Sequence, residues 1–235
     1  AQTLSSGDAA VFVGAGLSRA AGYVDWRSLL RGVAADLRLD VDREPDLIAV
    51  AQYHLNEKRS RGRLNQAIVE ELARSATPTR SHDVLARLPI PTAWTTNYDQ
   101  LLERSFEQAG KVVDLKLTQE NLAQTRRGRD VVLYKMHGCV SQPHDAVLTK
   151  DDYEQYPMKR PLFVESLKGD LIAKTFLFLG FSFTDPNIDF ILSRVRVLLG
   201  ANVREHFCIM RSPPRPRRLS GRKRAAYEYE RHATS

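Results

Sequence analysis

Cysteine is nearly missing from this chain of 235 residues, and the two it has, Cys139 and Cys208, can build neither a disulfide framework nor a four-cysteine zinc site. Long apolar runs are missing too. No stretch approaches the ~20 residues that span a bilayer, and the first residues carry no basic-then-apolar export signal. A reducing cytoplasm is the compartment these absences favour, with no membrane partner. Acidic side chains are missing from residues 211–224, which hold seven basic ones and so account for the whole net charge of +7. The remainder of the chain is electrically balanced, which weakens any reading of it as a nucleic-acid-binding surface. The Pro- and Arg-rich stretch 211–235 reads as a solvated linker or tail, with a nucleic-acid or partner contact as the alternative.

At 43% hydrophobic residues, the chain is long enough for one sizeable α/β domain, expected over 1–210, with a small inserted lobe. Strands are expected at 9–13, 92–95, 111–114, 131–136, 175–179 and 206–210, where apolar residues run nearly unbroken as they do in central parallel strands. Helical spacing joins Trp26, Leu29, Leu30, Val33, Ala34 and Leu37 into one predicted stripe after the first strand. Further helices are expected near 82–88, 101–109 and 185–199, and weaker helical stripes over 45–76 form the lobe. Alternating strands and helices predict a Rossmann-like doubly wound parallel sheet, with ligands at the C-terminal ends of the strands.

Four short segments fall at such ends. Gly14-Ala15-Gly16-Leu17-Ser18 follows the first strand, and glycine there lets a pyrophosphate approach a backbone whose helix N-terminus offers free N–H groups. A bare Gly-x-Gly is also a common turn, and Arg19 stands where a dinucleotide fingerprint has its third small residue. Thr96-Asn97-Tyr98-Asp99, Met136-His137-Gly138 and Gly180-Phe181-Ser182 close three other strands. His137 has the side chain whose ordinary pKa suits proton transfer near neutrality, although a strand-end histidine is often only structural. Asn97 could equally be a turn former, Asp99 a helix N-cap, Trp26 a core residue and Gly180 a bend. His137, Cys139 and His144 lie close in sequence but lack a fourth ligand and a recognised spacing, so no metal is expected.

Taken jointly and in order, these segments resemble the sirtuin superfamily: a Gly-Ala-Gly-x-Ser loop, Gly22-Tyr23-Val24-Asp25-Trp26-Arg27 for its Gly-x-Pro-Asp-Phe-Arg, an Asn-x-Asp segment and a His-Gly. Gly180-Phe181-Ser182-Phe183-Thr184-Asp185-Pro186-Asn187 is similar to a Gly-x-Ser-x-x-Asp-Pro-Asn pattern of a prokaryotic branch that contains NAD-hydrolysing effectors of antiphage defence. The resemblance implies catalytic roles for Asn97, contacting the ribose and orienting a water, and for His137, acting as base. It implies that Gly14, Ala15, Gly16 and Ser18 form the phosphate loop and that Asp25, Trp26 and Arg27 form a flexible cover, with Val24 in place of proline. It implies further that Asp99 holds the carboxamide and that Gly180 and Ser182 lie on the adenosine side.

The four-cysteine zinc module and the Val-x-Phe-Gly-Glu strand of protein-deacylating sirtuins have no counterpart here. The leading expectation is therefore an NAD hydrolase that uses NAD as substrate without metal. An NAD-dependent lysine deacylase and a non-catalytic NAD or ADP-ribose sensor are the alternatives. A hydrolase of a common cofactor needs restraint, so a homo-oligomer, a regulatory partner or a C-terminal sensor module is expected, with this chain as the first part of something longer.

Overall fold

The computed structural model describes residues 7–23, 25–72 and 76–209, and the basic stretch 211–235 lies outside them. Six strands form one sheet: β1 (Ala9–Val13), β2 (Thr92–Thr95), β3 (Val113–Lys116), β4 (Val131–Lys135), β5 (Thr175–Leu179) and β6 (Phe207–Ile209). Their order is β3-β4-β2-β1-β5-β6, and every pairing is parallel. The expected doubly wound sheet is thus observed. β1 lies inside the sheet and is buried throughout, which explains its unbroken apolar run.

The sheet winds outward from β1 in both directions, through β2 on one side and β5 on the other, which makes its C-terminal end the crevice where such folds bind ligands. Register sharpens the point: Val13 pairs with Thr95 and Leu179, and Thr95 pairs with Lys135. The loops after β1, β2, β4 and β5 therefore leave the sheet at one level. Apolar clusters cover both faces. Phe12, Trp94, Phe163, Phe176 and Ile188 belong to one, and Val11, Ala93, Phe106, Val131 and Leu133 to the other.

β2 and β5 occupy their expected residues, whereas β3 begins two residues later than the expected 111–114. The reason is local. The Lys111 amide donates to Phe106 O to finish the preceding helix, and the Val112 amide donates to Asp130 Oδ2 at 2.7 Å, so neither residue enters the ladder. A larger correction concerns the expected single helix after the first strand. Ala15–Arg19 is one short helix, and the apolar stripe is divided between Trp26–Leu29 and Arg31–Asp36, with Leu30 at φ −87°, ψ 1° between them. Periodicity reports a buried face, and that face survives the break because Leu30 is itself fully buried.

Helices Leu47–Lys58 and Gly62–Leu72 form the lobe, and their buried residues share a core with Leu30, Val33, Val41, Tyr98 and Leu148. Two polar clasps fasten this lobe to residues 146–152. Arg61 donates from Nη1 to both carboxylate oxygens of Asp152 and from Nη2 to Ala146 O at 2.7 Å, while Gln52 exchanges hydrogen bonds with Asp151. The lobe consequently stands over the end of the sheet, where it forms one wall of a cavity.

Candidate functional site

A cavity of about 940 Å³ opens above the C-terminal ends of the strands. Ala15, Gly16, Ser18, Asp25, Trp26, Asn97, Asp99, His137, Gly180 and Ser182, all expected from the sequence, line it. Gly14 and Arg27 do not. Arg27 turns its Nη1 to the carbonyls of Val41 and Glu44, where it ties the lobe's connecting segment instead of covering the cavity.

The glycine loop also differs from expectation. The amides of Gly14 and Gly16 donate to Leu179 O and Gly180 O, each at 2.9 Å, so they are occupied by the neighbouring loop. A Cβ built on Gly14 would stand 2.6 Å from Gly180 O, one on Gly16 2.8 Å from the same oxygen, and one on Gly180 2.6 Å from the Leu17 nitrogen. Gly180 also has φ +61°, a left-handed conformation that glycine adopts without steric cost. Here the glycines serve close packing of two backbones. Gly16→Ala is accordingly expected to push the loops apart and weaken dinucleotide binding together with thermal stability, with both read in one ligand-dependent thermal-shift experiment. An unchanged melting temperature and unchanged ligand shift would contradict this packing role.

At the end of β2, Thr95 Oγ1 donates to Val13 O at 2.8 Å and accepts the Asn97 amide at 3.0 Å. The Asn97 side chain then donates from Nδ2 to Gly14 O (3.1 Å) and Ser18 Oγ (2.9 Å). Because Gly14 O can only accept, the amide nitrogen must face it, and both amide protons are spent. What Asn97 can offer an incoming molecule is its carbonyl oxygen. Ser18 Oγ donates a hydrogen bond to Asp99 Oδ2 at 2.6 Å, and Asp99 Oδ1 accepts the Leu101 amide at 3.0 Å. The N-cap of helix Leu101–Gln108 is Gln100 and not Asp99 as expected; Asp99 stands one residue earlier, where its side chain takes the first helical amide, and it lines the cavity as well.

Beneath this turn lies Lys135, the last residue of β4 and fully buried. Its Nζ meets Glu103 Oε1 at 2.8 Å and also donates to the carbonyls of Tyr98 and Asp99. Burial is the largest single effect and disfavours the ammonium, but Glu103, Cys139 and Asp99 together, with the Glu103 hydrogen bond, outweigh it and hold the Lys135 pKa above its ordinary value. No sequence signal marked this residue, since a lysine ending an apolar strand reads as a solvent-facing end.

His137 is 2% exposed and stands edge-on to the rings of Tyr153 and Tyr156, at 5.3 and 5.8 Å between centroids. Burial lowers its pKa below the ordinary histidine value, and the nearby Asp185 carboxylate only partly offsets that. The imidazole is therefore neutral at neutral pH. Asp25 caps Trp26–Leu29 by accepting the Ser28 amide at 3.0 Å, and that bond holds its carboxyl below the usual carboxylate range. Trp26 lines the cavity and also packs against two core clusters, so both readings of it hold. Tyr98, Leu47, Ile48 and Tyr153 supply an apolar wall that the motif reading missed. Among the described residues, no cluster of three His, Cys, Asp or Glu side chains could hold a metal ion, and no helix is long and apolar enough to cross a membrane.

A SIR2-like domain model matches residues 91–232. The chain is 51% identical to a protein named NAD(+) hydrolase ThsA from Acinetobacter baumannii over 208 residues, which cover 88% of this chain and 43% of that protein. It is likewise 51% identical to NAD(+) hydrolase ThsA from Bacillus cereus over 209 residues, covering 88% of this chain and 44% of the relative. Defense-associated sirtuin 2 of Bacillus subtilis is 26% identical over 216 residues, covering 88% of this chain and 21% of that protein. The chain thus spans under half the length of these relatives. With the motifs in their expected order, the parallel sheet beneath them and the match over 91–232, the chain belongs to the SIR2-like domain family.

Proposed function

We propose that this chain is the catalytic part of an NAD hydrolase, converting NAD and water into nicotinamide, ADP-ribose and a proton. The observation that carries the reading is that Asn97 and His137, from the ends of β2 and β4, line one cavity large enough for a dinucleotide. The names of the two 51% identical relatives support it.

Breaking the bond between ribose C1′ and the nicotinamide nitrogen builds positive charge on the sugar while the leaving group departs neutral. Such a reaction needs orientation more than an acid. The Asn97 carbonyl oxygen accepts a hydrogen bond from the attacking water or a ribose hydroxyl. His137 takes the proton released as water bonds to C1′. Asp99, fixed by Ser18 and the Leu101 amide, keeps lone pairs for the carboxamide N–H groups. The apolar wall of Trp26, Leu47 and Ile48 excludes bulk water. Gly180 and Ser182 border the adenosine side.

A place in antiphage defence, by depletion of NAD in the cytoplasm, follows from the effector branch the motifs resemble and agrees with the name of the Bacillus subtilis relative. Restraint by self-assembly, a partner or a further module fits such a toxic activity. The test is to incubate NAD alone with this chain and with its full-length protein under activating conditions, with and without a strong chelator. Nicotinamide and ADP-ribose are expected in equal amounts, at a rate the chelator leaves unchanged. Consumption only on addition of an acylated peptide would identify a deacylase instead, and intact NAD throughout would leave a binding domain.

A further inference from the structure

We propose that Asp185 is a positioning residue for His137, holding its imidazole as the tautomer protonated at Nδ1 so that Nε2 is the base. Asp185 ends the loop after β5 and stands at the start of helix Pro186–Leu199. Its Oδ1 accepts the amides of Asn187 (3.0 Å) and Ile188 (3.1 Å), which locks the carboxyl group in place as an N-cap. The other oxygen, Oδ2, lies 3.5 Å from His137 Nδ1, and the two side chains are 12% and 2% exposed. A carboxylate cannot donate, so a neutral imidazole in this contact is stabilised with its proton on Nδ1. His137 Nε2 is buried and has no hydrogen-bond partner among the described residues, while the residue itself lines the cavity. A buried nitrogen without a partner is costly, and a proton taken from a bound hydroxyl or its water, once substrate brings it within reach of Nε2, would relieve that cost.

One carboxylate thus does two jobs. It ties the β5 loop and the helix start to the His137 loop, bringing together parts of the chain 48 positions apart in sequence. The Asp-Pro pair at 185–186 announces a helix start but gives no sign of the histidine. The charged and titratable groups around His137 are Asp185, Arg160 and Asp152, with the Tyr153 and Tyr156 rings in T-shaped contact with it. Of these, only Asp185 is within ion-pair reach of a ring nitrogen.

This inference rests on the hydrolase reading for its kinetic effect but not for its structural one, and the experiment separates them. Asp185→Asn keeps an oxygen that caps the helix and removes the charge facing Nδ1. Nitrogen-15 histidine NMR, with the His137 signal assigned by its loss in His137→Gln, should show an Nδ1-protonated ring in the unchanged protein. In Asp185→Asn the ring should become a tautomer mixture with a lower pKa, because the carboxylate that favoured the imidazolium is gone. In the full-length enzyme, kcat should fall about 10–100-fold with KM little changed. The acid limb, where His137 gains its proton, should move to lower pH. An Nε2-protonated ring in the unchanged protein, or an Asp185→Asn variant with unaltered tautomer and kcat, would overturn the assignment. If NAD is not cleaved at all, the hydrolase reading fails while the NMR result still decides this one.

Discussion

Alanine at Asn97 or at His137 is expected to lower NAD turnover by about 10²–10⁴-fold while the folded protein still binds the dinucleotide. The two losses have different origins. His137→Ala removes the only imidazole among the described residues that line the cavity, which in the proposed mechanism is the acceptor for the water's proton. Asn97→Ala removes the carbonyl that in the proposed mechanism orients that water, and it also deletes the bonds to Gly14 O and Ser18 Oγ that join the first two loops. A modest stability loss of about 1 kcal/mol per hydrogen bond therefore accompanies Asn97→Ala, whereas the loss in His137→Ala comes from the space left among the tyrosine rings and from the missing contact with Asp185. Both interactions matter most where charge and protons are moving, so the defect should appear in kcat more than in KM. NAD consumption, measured beside the melting-temperature rise that NAD or ADP-ribose causes in the same proteins, separates loss of chemistry from loss of binding. Full turnover in a folded His137→Ala variant would remove it as the base. Full turnover in Asn97→Ala as well would end the mechanism argued above.

Asn97, His137 and Gly180 could be read from the sequence because each follows an apolar strand, and parallel strands of one sheet deliver their C-terminal ends to one level. These three needed no knowledge of tertiary contacts to be found. Their partners did. Asp185 reaches His137 although two strands, β2 and β1, separate β4 from β5, a contact that no local pattern in the sequence records. Gly14 was recognised as special, but the cause lies in the carbonyl of Gly180, 166 positions away. Arg27 sat in the right motif and turned to the lobe, because carbonyls of Val41 and Glu44 were within its reach and no local pattern records that. The break at Leu30 was hidden for a related reason: a buried face can be continued by two short helices as well as by one.

Lys135→Ala should cost about 3–5 kcal/mol of folding stability, a large part of the roughly 5–15 kcal/mol that holds a typical domain together. The lysine ends a central strand with no exposed surface, and its loss strands the Glu103 carboxylate, whose Oε2 already lacks a partner among the described residues. Removing both charges should undo most of that cost, because an apolar pair of similar volume pays no desolvation penalty. Lys135→Met combined with Glu103→Leu is therefore expected to unfold at a denaturant concentration close to that of the unchanged protein. Activity should not return with it. Nζ also donates to the carbonyls of Tyr98 and Asp99, which shape the turn that carries Asn97, and methionine cannot replace a donor there. Denaturant unfolding and NAD cleavage measured on the single and double variants distinguish the two contributions. A single variant within 1 kcal/mol of the parent would mean that Glu103 escapes to solvent. A double variant with full turnover would mean that the turn beneath Asn97 holds its shape without the lysine, and that Lys135 supports the fold alone.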